Sequence, residues 1–319
     1  MKHLVLIDGH HLMYRAYWAI PRTFKTRAGE QTNTTFGMAS MLLNILRIEE
    51  PDNLVICFDE GDETFRHKEM DTYKDGRAET PDDFYPQFPR VMQLVDTYGM
   101  SRVSDPQYEA DDYLCAYARA GEQAGMRVTI ITGDKDALQI ATDNIRVAIP
   151  HKGYSQTEYL GPSEIESKYG IRPDQVASYK GLCGDSSDNL PGVMGIGPKT
   201  ASKLIQDFGS LEGVYANLGE IKSSVREKLE RDREQAFFCE HMAILIDDMP
   251  LPIPLEETAY EDNNAQDLIN FFGELEFTML VRRFQAMLDT PYGAEHFTAP
   301  DADETAAAVS KGEDQMAMF

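Results

Sequence analysis

The sequence predicts an α/β fold, a largely parallel central sheet flanked by helices, followed by a helical part. Two observations carry this. Short apolar runs alternate with amphipathic stretches as far as about residue 160, as expected of β-α-β units. Beyond that point strand signals thin out and helical spacing dominates. A third observation locates a site. Three apolar runs stop at aspartate: residues 3–8 at Asp8, residues 53–59 at Asp59, and residues 128–132 at Gly133-Asp134-Lys135-Asp136. Open parallel sheets carry their sites at the C-terminal ends of strands. Gly133 is expected to let the chain turn so that Asp134 and Asp136 face one point.

In order along the chain, residues 3–8 are apolar on both faces and read as a buried strand. Residues 9–27 mix Tyr14, Arg15, Tyr17, Trp18, Arg22, Phe24, Lys25 and Arg27 without an acid. Aromatics among cations suit a nucleic acid strand, since bases stack while phosphates pair, and Arg15 is a candidate contact. A helix is expected over 34–49, with Phe36, Met41, Leu42, Ile45 and Leu46 on one face. Residues 60–90 form a long polar excursion, expected to be a mobile, partly helical flap presenting Arg66, Lys68, Lys74 and Arg77. A helix over 82–98 follows, its start bent or delayed by Pro86 and Pro89. Tyr108-Glu109-Ala110-Asp111-Asp112 opens the next helix, which runs to Gly125. A short helix over 135–141 and a strand over 145–149 complete the first part.

Helices are then expected at 162–169, 173–182, 198–208, 210–217, 223–244 and 265–288, the last packing back onto the body. From Pro291 the chain is rich in Ala, Asp and Glu, and reads as a disordered acidic tail. The expected organisation is therefore residues 1–160, 161–290 and 291–319.

A formal charge of −24 and a pI near 4.6 exclude loose, charge-driven nucleic acid binding, though not a local basic groove. The four cysteines are far apart and without a Cys-x-x-Cys pair, as for reduced buried thiols. No apolar run is long enough to span a bilayer, and a cytoplasmic location is expected.

The acids of interest are Asp8, Asp59, Glu109, Asp111, Asp112, Asp134, Asp136, Asp185 and Asp188. Helix capping explains one or two of Glu109, Asp111 and Asp112, but not three acidic strand ends. Carboxylates packed this closely cannot all ionise without cations. Oxygen donors select hard ions, Mg²⁺ or Mn²⁺, and a pair of such ions serves in-line displacement at phosphorus. Asp134-Lys135-Asp136 also mimics the D-x-D of haloacid-dehalogenase-like phosphatases. That family wants the motif early in the fold, and with Thr or Val where Leu138 stands.

Gly192-Val-Met-Gly195-Ile-Gly197-Pro-Lys199-Thr200 is neither a dinucleotide fingerprint nor a Walker loop. It matches the helix-hairpin-helix pattern, in which Gly195 and Gly197 allow a tight turn and a helix N-terminus offers N–H groups to phosphate. Lys199 and Lys203 add phosphate contacts that position a duplex without reading its sequence. A scaffold using this motif alone has no need of the acidic pocket.

Together these motifs resemble the 5′-nuclease family: the 5′-nuclease domain of bacterial DNA polymerase I, free-standing phage 5′-exonucleases and flap endonucleases. The resemblance covers roughly residues 2–288. It rests on Leu-Ile-Asp8-Gly, Cys-Phe-Asp59, Phe-Arg66…Tyr73-Lys74…Arg77, Tyr-Glu109-Ala-Asp111-Asp112, Thr-Gly-Asp134-Lys-Asp136 and Gly-Asp185-Ser-Ser-Asp188-Asn-Leu-Pro-Gly with the hairpin. It implies a PIN-like nuclease fold with a helix-three-turn-helix subdomain near 180–208, and hydrolysis of one DNA phosphodiester near a 5′ end at a duplex junction. It implies two Mg²⁺ or Mn²⁺ ions, one among Asp8, Asp59, Glu109 and Asp111, the other among Asp134, Asp136 and Asp188. Asp112 and Asp185 would act directly or through water. Residues 65–77 resemble the family's helical arch, in which Lys74 and Arg77 would stabilise transition-state charge, with Arg66 and Tyr73 contacting DNA. Gly195, Gly197, Lys199, Thr200 and Lys203 would grip the duplex, with K⁺ at the hairpin. The implied partners are DNA with a 5′ flap, nick or end, an RNA primer and a DNA polymerase, met by a nucleoid-associated monomer.

Overall fold

The structure, a computed structural model, describes residues 1–61, 64–76 and 79–301. Its strands are β1 (His3–Asp8), β2 (Asn53–Asp59), β3 (Ser101–Asp105), β4 (Arg127–Ile131), β5 (Ile145–Lys152) and β6 (Gln156–Leu160). They form one sheet in the order β3-β2-β1-β4-β5-β6, parallel throughout except for the antiparallel pair β5–β6. The expected strands are those buried on both faces. β3 and β6 have no counterpart in the sequence reading because they lie at the sheet edges. In β3 only Val103 is buried, and in β6 only Leu160.

The helices are α1 (Gly9–Ala19), α2 (Asn33–Glu49), α3 (Phe65–Glu69), α4 (Phe88–Thr97), α5 (Ala110–Gln123), α6 (Pro162–Tyr169), α7 (Val176–Cys183), α8 (Pro198–Phe208), α9 (Leu211–Ala216), α10 (Ser223–Arg231), α11 (Arg233–Ala243), α12 (Ala265–Glu274), α13 (Thr278–Leu288) and α14 (Pro291–His296). The prolines delay α4 as expected: residues Tyr85–Gln87 form a 3₁₀ turn and the α-helix begins only at Phe88. The helix expected over 223–244 breaks at Asp232, and that over 265–288 breaks between Glu274 and Thr278, where Glu276 adopts φ +62°.

Apolar cores cover both faces of the sheet. On one face α1, α2 and α4 pack with α12 and α13, so the C-terminal helices return to the body. On the other face α5 packs with residues of α6–α10. The tail expected to be disordered from Pro291 begins instead with a helix. Pro291 stands in its first turn, Thr290 caps it, Tyr292 OH donates to the Pro51 carbonyl at 3.0 Å, and Phe297 packs edge-on against Phe284. The rest of that tail, residues 302–319, lies outside the described residues.

The excursion after β2 is docked. Tyr73 and Met70 pack with Leu190, Cys239 and Met242 of the helical part, and the Asn189 side-chain amide donates to the Thr72 carbonyl at 2.8 Å.

Candidate active site

Strand register places the acids. Asp8 pairs with Cys57, two residues before Asp59, and Ile7 pairs with Ile131, so the C-terminal ends of β1, β2 and β4 lie side by side. A cleft of about 1260 Å³ opens at these ends, lined by Asp8, Asp59, Glu109, Asp111, Asp134 and Asp185, together with Lys74 and Lys180. A smaller recess behind it is lined by Asp136 and Asp188 as well as Glu109, Asp111 and Asp134. Eight of the nine predicted acids therefore meet at one place.

Each is held by backbone or by a neighbour. Asp8 caps α1, accepting from His11 N at 2.9 Å, and accepts from Thr132 Oγ1 at 2.7 Å. Asp59 accepts from Ala110 N at 2.8 Å, which ties β2 to the start of α5. Asp134 accepts from Asp136 N at 2.9 Å, so the two residues form a tight turn. Gly133 serves that turn differently from expectation. It has no positive φ, but a Cβ there would meet the His11 ring at 2.0 Å.

Burial and mutual repulsion show in the acidities. Burial, with Asp59 and Asp134 nearby, pushes the Asp8 carboxyl up to about 7. Burial, then Asp134, Asp8 and Asp59, push Asp111 well above the carboxylate range. Asp111 Oδ1 is buried and has no hydrogen-bond partner. An anionic oxygen in that position fits a cation. On the helical side Asp136, Asp185 and Asp188 bring carboxylate oxygens within 4.8 Å of one another, a spacing that can hold an ion. Burial raises Asp188, whereas Asp185 is held below its ordinary value because Lys180 and Ser187 outweigh its burial.

Lys180 was not among the expected residues. This buried lysine on α7 contacts Asp136 and reaches Asp185 Oδ2 at 2.5 Å, an ammonium among three carboxylates. Its signal was a lysine in an otherwise apolar helix, five residues before Asp185. His10 and His11 were also missed. His10 Nδ1 accepts from Asp59 N at 3.1 Å, and burial lowers His11 to about 4, keeping it neutral beside Asp134.

Several expected roles are corrected. Asp112 is fully buried and faces away from the cleft. It binds both Arg66 amino groups at 2.8 Å and accepts from Glu109 N and Ile246 N, so it is a capping residue of α5. Arg66, expected on an exposed arch, is 1 % exposed, and its guanidinium also meets Glu109 and the carbonyls of Met242 and Ile244. A wholly enclosed guanidinium is shut off from DNA. Tyr73 is buried likewise, its OH donating to Glu109 Oε2 at 3.3 Å. Lys74 does face the cleft, with Nζ at 2.8 Å from Glu109 Oε1 and a backbone φ of +61°. Arg77 lies outside the described residues. Arg15 donates to the His151 carbonyl at 2.6 Å. In the hairpin Gly195, Gly197, Lys199 and Lys203 are exposed, Thr200 lies in the first turn of α8, and Pro198 lines the cleft. Lys203 pairs with Asp207 at 2.7 Å. Among the described residues no helix is long and apolar enough to cross a membrane. All four cysteines are free thiols, three of them buried.

Two family descriptions match in tandem: "5′-3′ exonuclease, N-terminal resolvase-like domain" over residues 3–170 and "5′-3′ exonuclease, C-terminal SAM fold" over residues 171–276. DNA polymerase I of Bacillus subtilis is 39% identical over 283 residues, which is 88% of this chain and 32% of the relative. The thermostable DNA polymerase I of Thermus aquaticus is 39% identical over 297 residues, 93% of this chain and 34% of the relative. The chain thus spans about a third of the length of these relatives. Among solved structures, a bacteriophage T5 flap endonuclease in a pseudo-enzyme-product complex with DNA and metal ions superposes with a TM-score of 0.64. Its identity is 18%, and the match covers 98% of this chain and 100% of that one. That likeness supports the fold.

Proposed function

Because the chain belongs to the 5′-3′ exonuclease family, we propose that it is a structure-specific 5′-nuclease. It hydrolyses DNA phosphodiesters near 5′ ends at flaps, nicks and duplex junctions, using two divalent ions held in the carboxylate pocket. The observation that carries this reading is Asp111 Oδ1, an unpartnered buried carboxylate oxygen beside Asp8, Asp59 and Asp134. Asp8, Asp59 and Asp111, with Glu109 alongside, would hold one ion; Asp134, Asp136, Asp185 and Asp188 would hold the other. Bound there, Mg²⁺ or Mn²⁺ would ease deprotonation of the attacking water and offset charge on the leaving oxygen.

The chain's own residues do the rest. Lys74, steadied by Glu109, directs its ammonium into the cleft, where it orients the scissile phosphate and offsets transition-state charge. Thr132 and the His11 amide fix Asp8, and the Ala110 amide fixes Asp59, so these carboxylates are positioned before substrate arrives. Lys180 keeps Asp136 and Asp185 apart from unrelieved repulsion. Lys199 and the N-terminus of α8 hold duplex phosphates. The substrates include a strand with an RNA primer at its 5′ end, the setting is the nucleoid, and the enzyme works as a monomer beside a DNA polymerase.

The test is digestion of matched 5′-flap, nicked, blunt and single-stranded DNAs with and without Mg²⁺. Preferential, Mg²⁺-dependent cutting at the flap and nick is expected. Equal cutting of all four, or cutting in chelator, contradicts the reading.

The weakened acidity of Asp8 gives a further expected outcome. Its carboxyl moves from 3.8 to about 7 on folding, so the folded state binds the proton more tightly than the unfolded state. In chelator, stability therefore falls as pH rises from about 4 to about 7, by up to about 4 kcal/mol for this one group. Melting at pH 5 and pH 8 checks this: the Tm in EDTA should be lower at pH 8, and Mg²⁺ should restore more of it there than at pH 5.

A further inference from the structure

The turn between α7 and α8 is stitched to the helix pair behind it. Lys228 Nζ donates to the Gly195 carbonyl at 2.9 Å, Arg231 Nη2 to the Met194 carbonyl at 3.1 Å, and Gln235 to the Gly192 carbonyl. These three donors recur at helical spacing across the junction of α10 and α11. Met194 is gripped at both ends of its residue, since its N–H donates to Asp232 Oδ2 at 2.9 Å while Arg231 spans that carboxylate and the Met194 carbonyl. Backbone amides take further carbonyls of the turn: Ile196 N binds Val193 O at 3.0 Å, and Thr200 N binds Gly197 O at 3.0 Å. Gly195 has φ +82°, and a Cβ there would meet Lys228 Nζ at 3.0 Å, so the glycine is fitted to the lysine.

The resemblance implies K⁺ at this hairpin. Such an ion is held by backbone carbonyls. Here the carbonyls of Gly195 and Met194 already face an ammonium and a guanidinium, and a third cation sharing those oxygens would be repelled by both. These two carbonyls are committed to side-chain cations and do not fit the ion.

We propose that Lys228 and Arg231, with Gln235, are positioning residues that set the hairpin in place of a monovalent cation. Duplex binding by this chain is then indifferent to which alkali cation is present. The inference rests on the reading above, that the hairpin grips duplex DNA through Lys199 and the start of α8. Lys228 acts through the Gly195 carbonyl and not on the phosphate.

The experiment measures binding of a blunt duplex by fluorescence anisotropy in chelator, in KCl, NaCl and LiCl at matched ionic strength. For the unaltered chain the three dissociation constants should agree within about twofold, with one common salt slope. A severalfold loss in LiCl that KCl restores overturns the proposal. Lys228→Met should weaken binding severalfold with the salt slope unchanged, and Lys228→Arg should restore it. A slope reduced by about one would make Lys228 a direct phosphate contact, and unchanged affinity would make it idle; either overturns the assignment. If Lys228→Met fails to fold, the comparison of salts on the unaltered chain decides alone. Lys199→Ala is the control on the underlying reading. If it leaves affinity and slope unchanged, the hairpin does not hold the duplex. If it weakens binding while the unaltered chain still needs K⁺, only the positioning proposal fails.

Discussion

Asp134→Asn is expected to lower single-turnover cleavage of a 5′-flap DNA by about 10³-fold, with affinity for that DNA within about twofold. Asparagine keeps the size of the side chain and an oxygen to accept from Asp136 N, so the turn after β4 survives. What is lost is one negative charge where Asp8 and Asp111 also converge. Activity and stability should therefore move in opposite directions. Removing a like charge relieves repulsion on Asp8 and Asp111, so the variant should melt higher than the unaltered chain in EDTA. Rapid-quench kinetics and calorimetry check the two halves. A variant that cuts normally removes Asp134 from the metal site.

Arg66→Met is expected to destabilise the fold by about 3–5 kcal/mol, the cost of breaking a buried ion pair from one side. The guanidinium binds both oxygens of Asp112, one of Glu109 and the carbonyls of Met242 and Ile244 at the end of α11, and Asp112 is fully buried. Methionine fills the space but leaves a carboxylate uncompensated. Replacing Asp112 by leucine as well should recover much of the loss. A residue of about 1 kcal/mol should remain, because the same carboxylate caps α5 through Glu109 N. Urea denaturation of the two variants checks this. If Arg66→Met unfolds like the unaltered chain and instead weakens DNA binding, the arginine belongs to the DNA surface after all.

These two residues show what the sequence made legible and what it did not. Asp134 could be placed because the signal was local: an apolar β-branched run, then a glycine and two acids, at the kind of strand end where such sheets carry sites. The same logic placed Asp8 and Asp59, and strand register brings all three together. Arg66 could not be placed that way. Its burial depends on Met242 and Ile244, some 176 residues later, which no local pattern announces. An arginine among charged neighbours reads as surface until its partner is known, and the partner, Asp112, looked like one more metal ligand. Lys180 was missed for the converse reason: a lone lysine in an apolar helix reads as a snorkelling surface residue until Asp136 and Asp185 converge on it. Edge strands β3 and β6 escaped because half-exposed strands carry mixed residues. The C-terminal helix α14 escaped because acidic composition hid two aromatic anchors, Tyr292 and Phe297.

The central claim is that the two halves of the carboxylate pocket each hold an ion during cleavage. The most direct test is the single-turnover rate of flap cleavage against Mg²⁺ concentration, with DNA saturating and ionic strength fixed. The account predicts that log rate rises with log Mg²⁺ at a slope near two before it saturates. Cleavage in the complete absence of divalent ions, or a slope of one throughout, would contradict it.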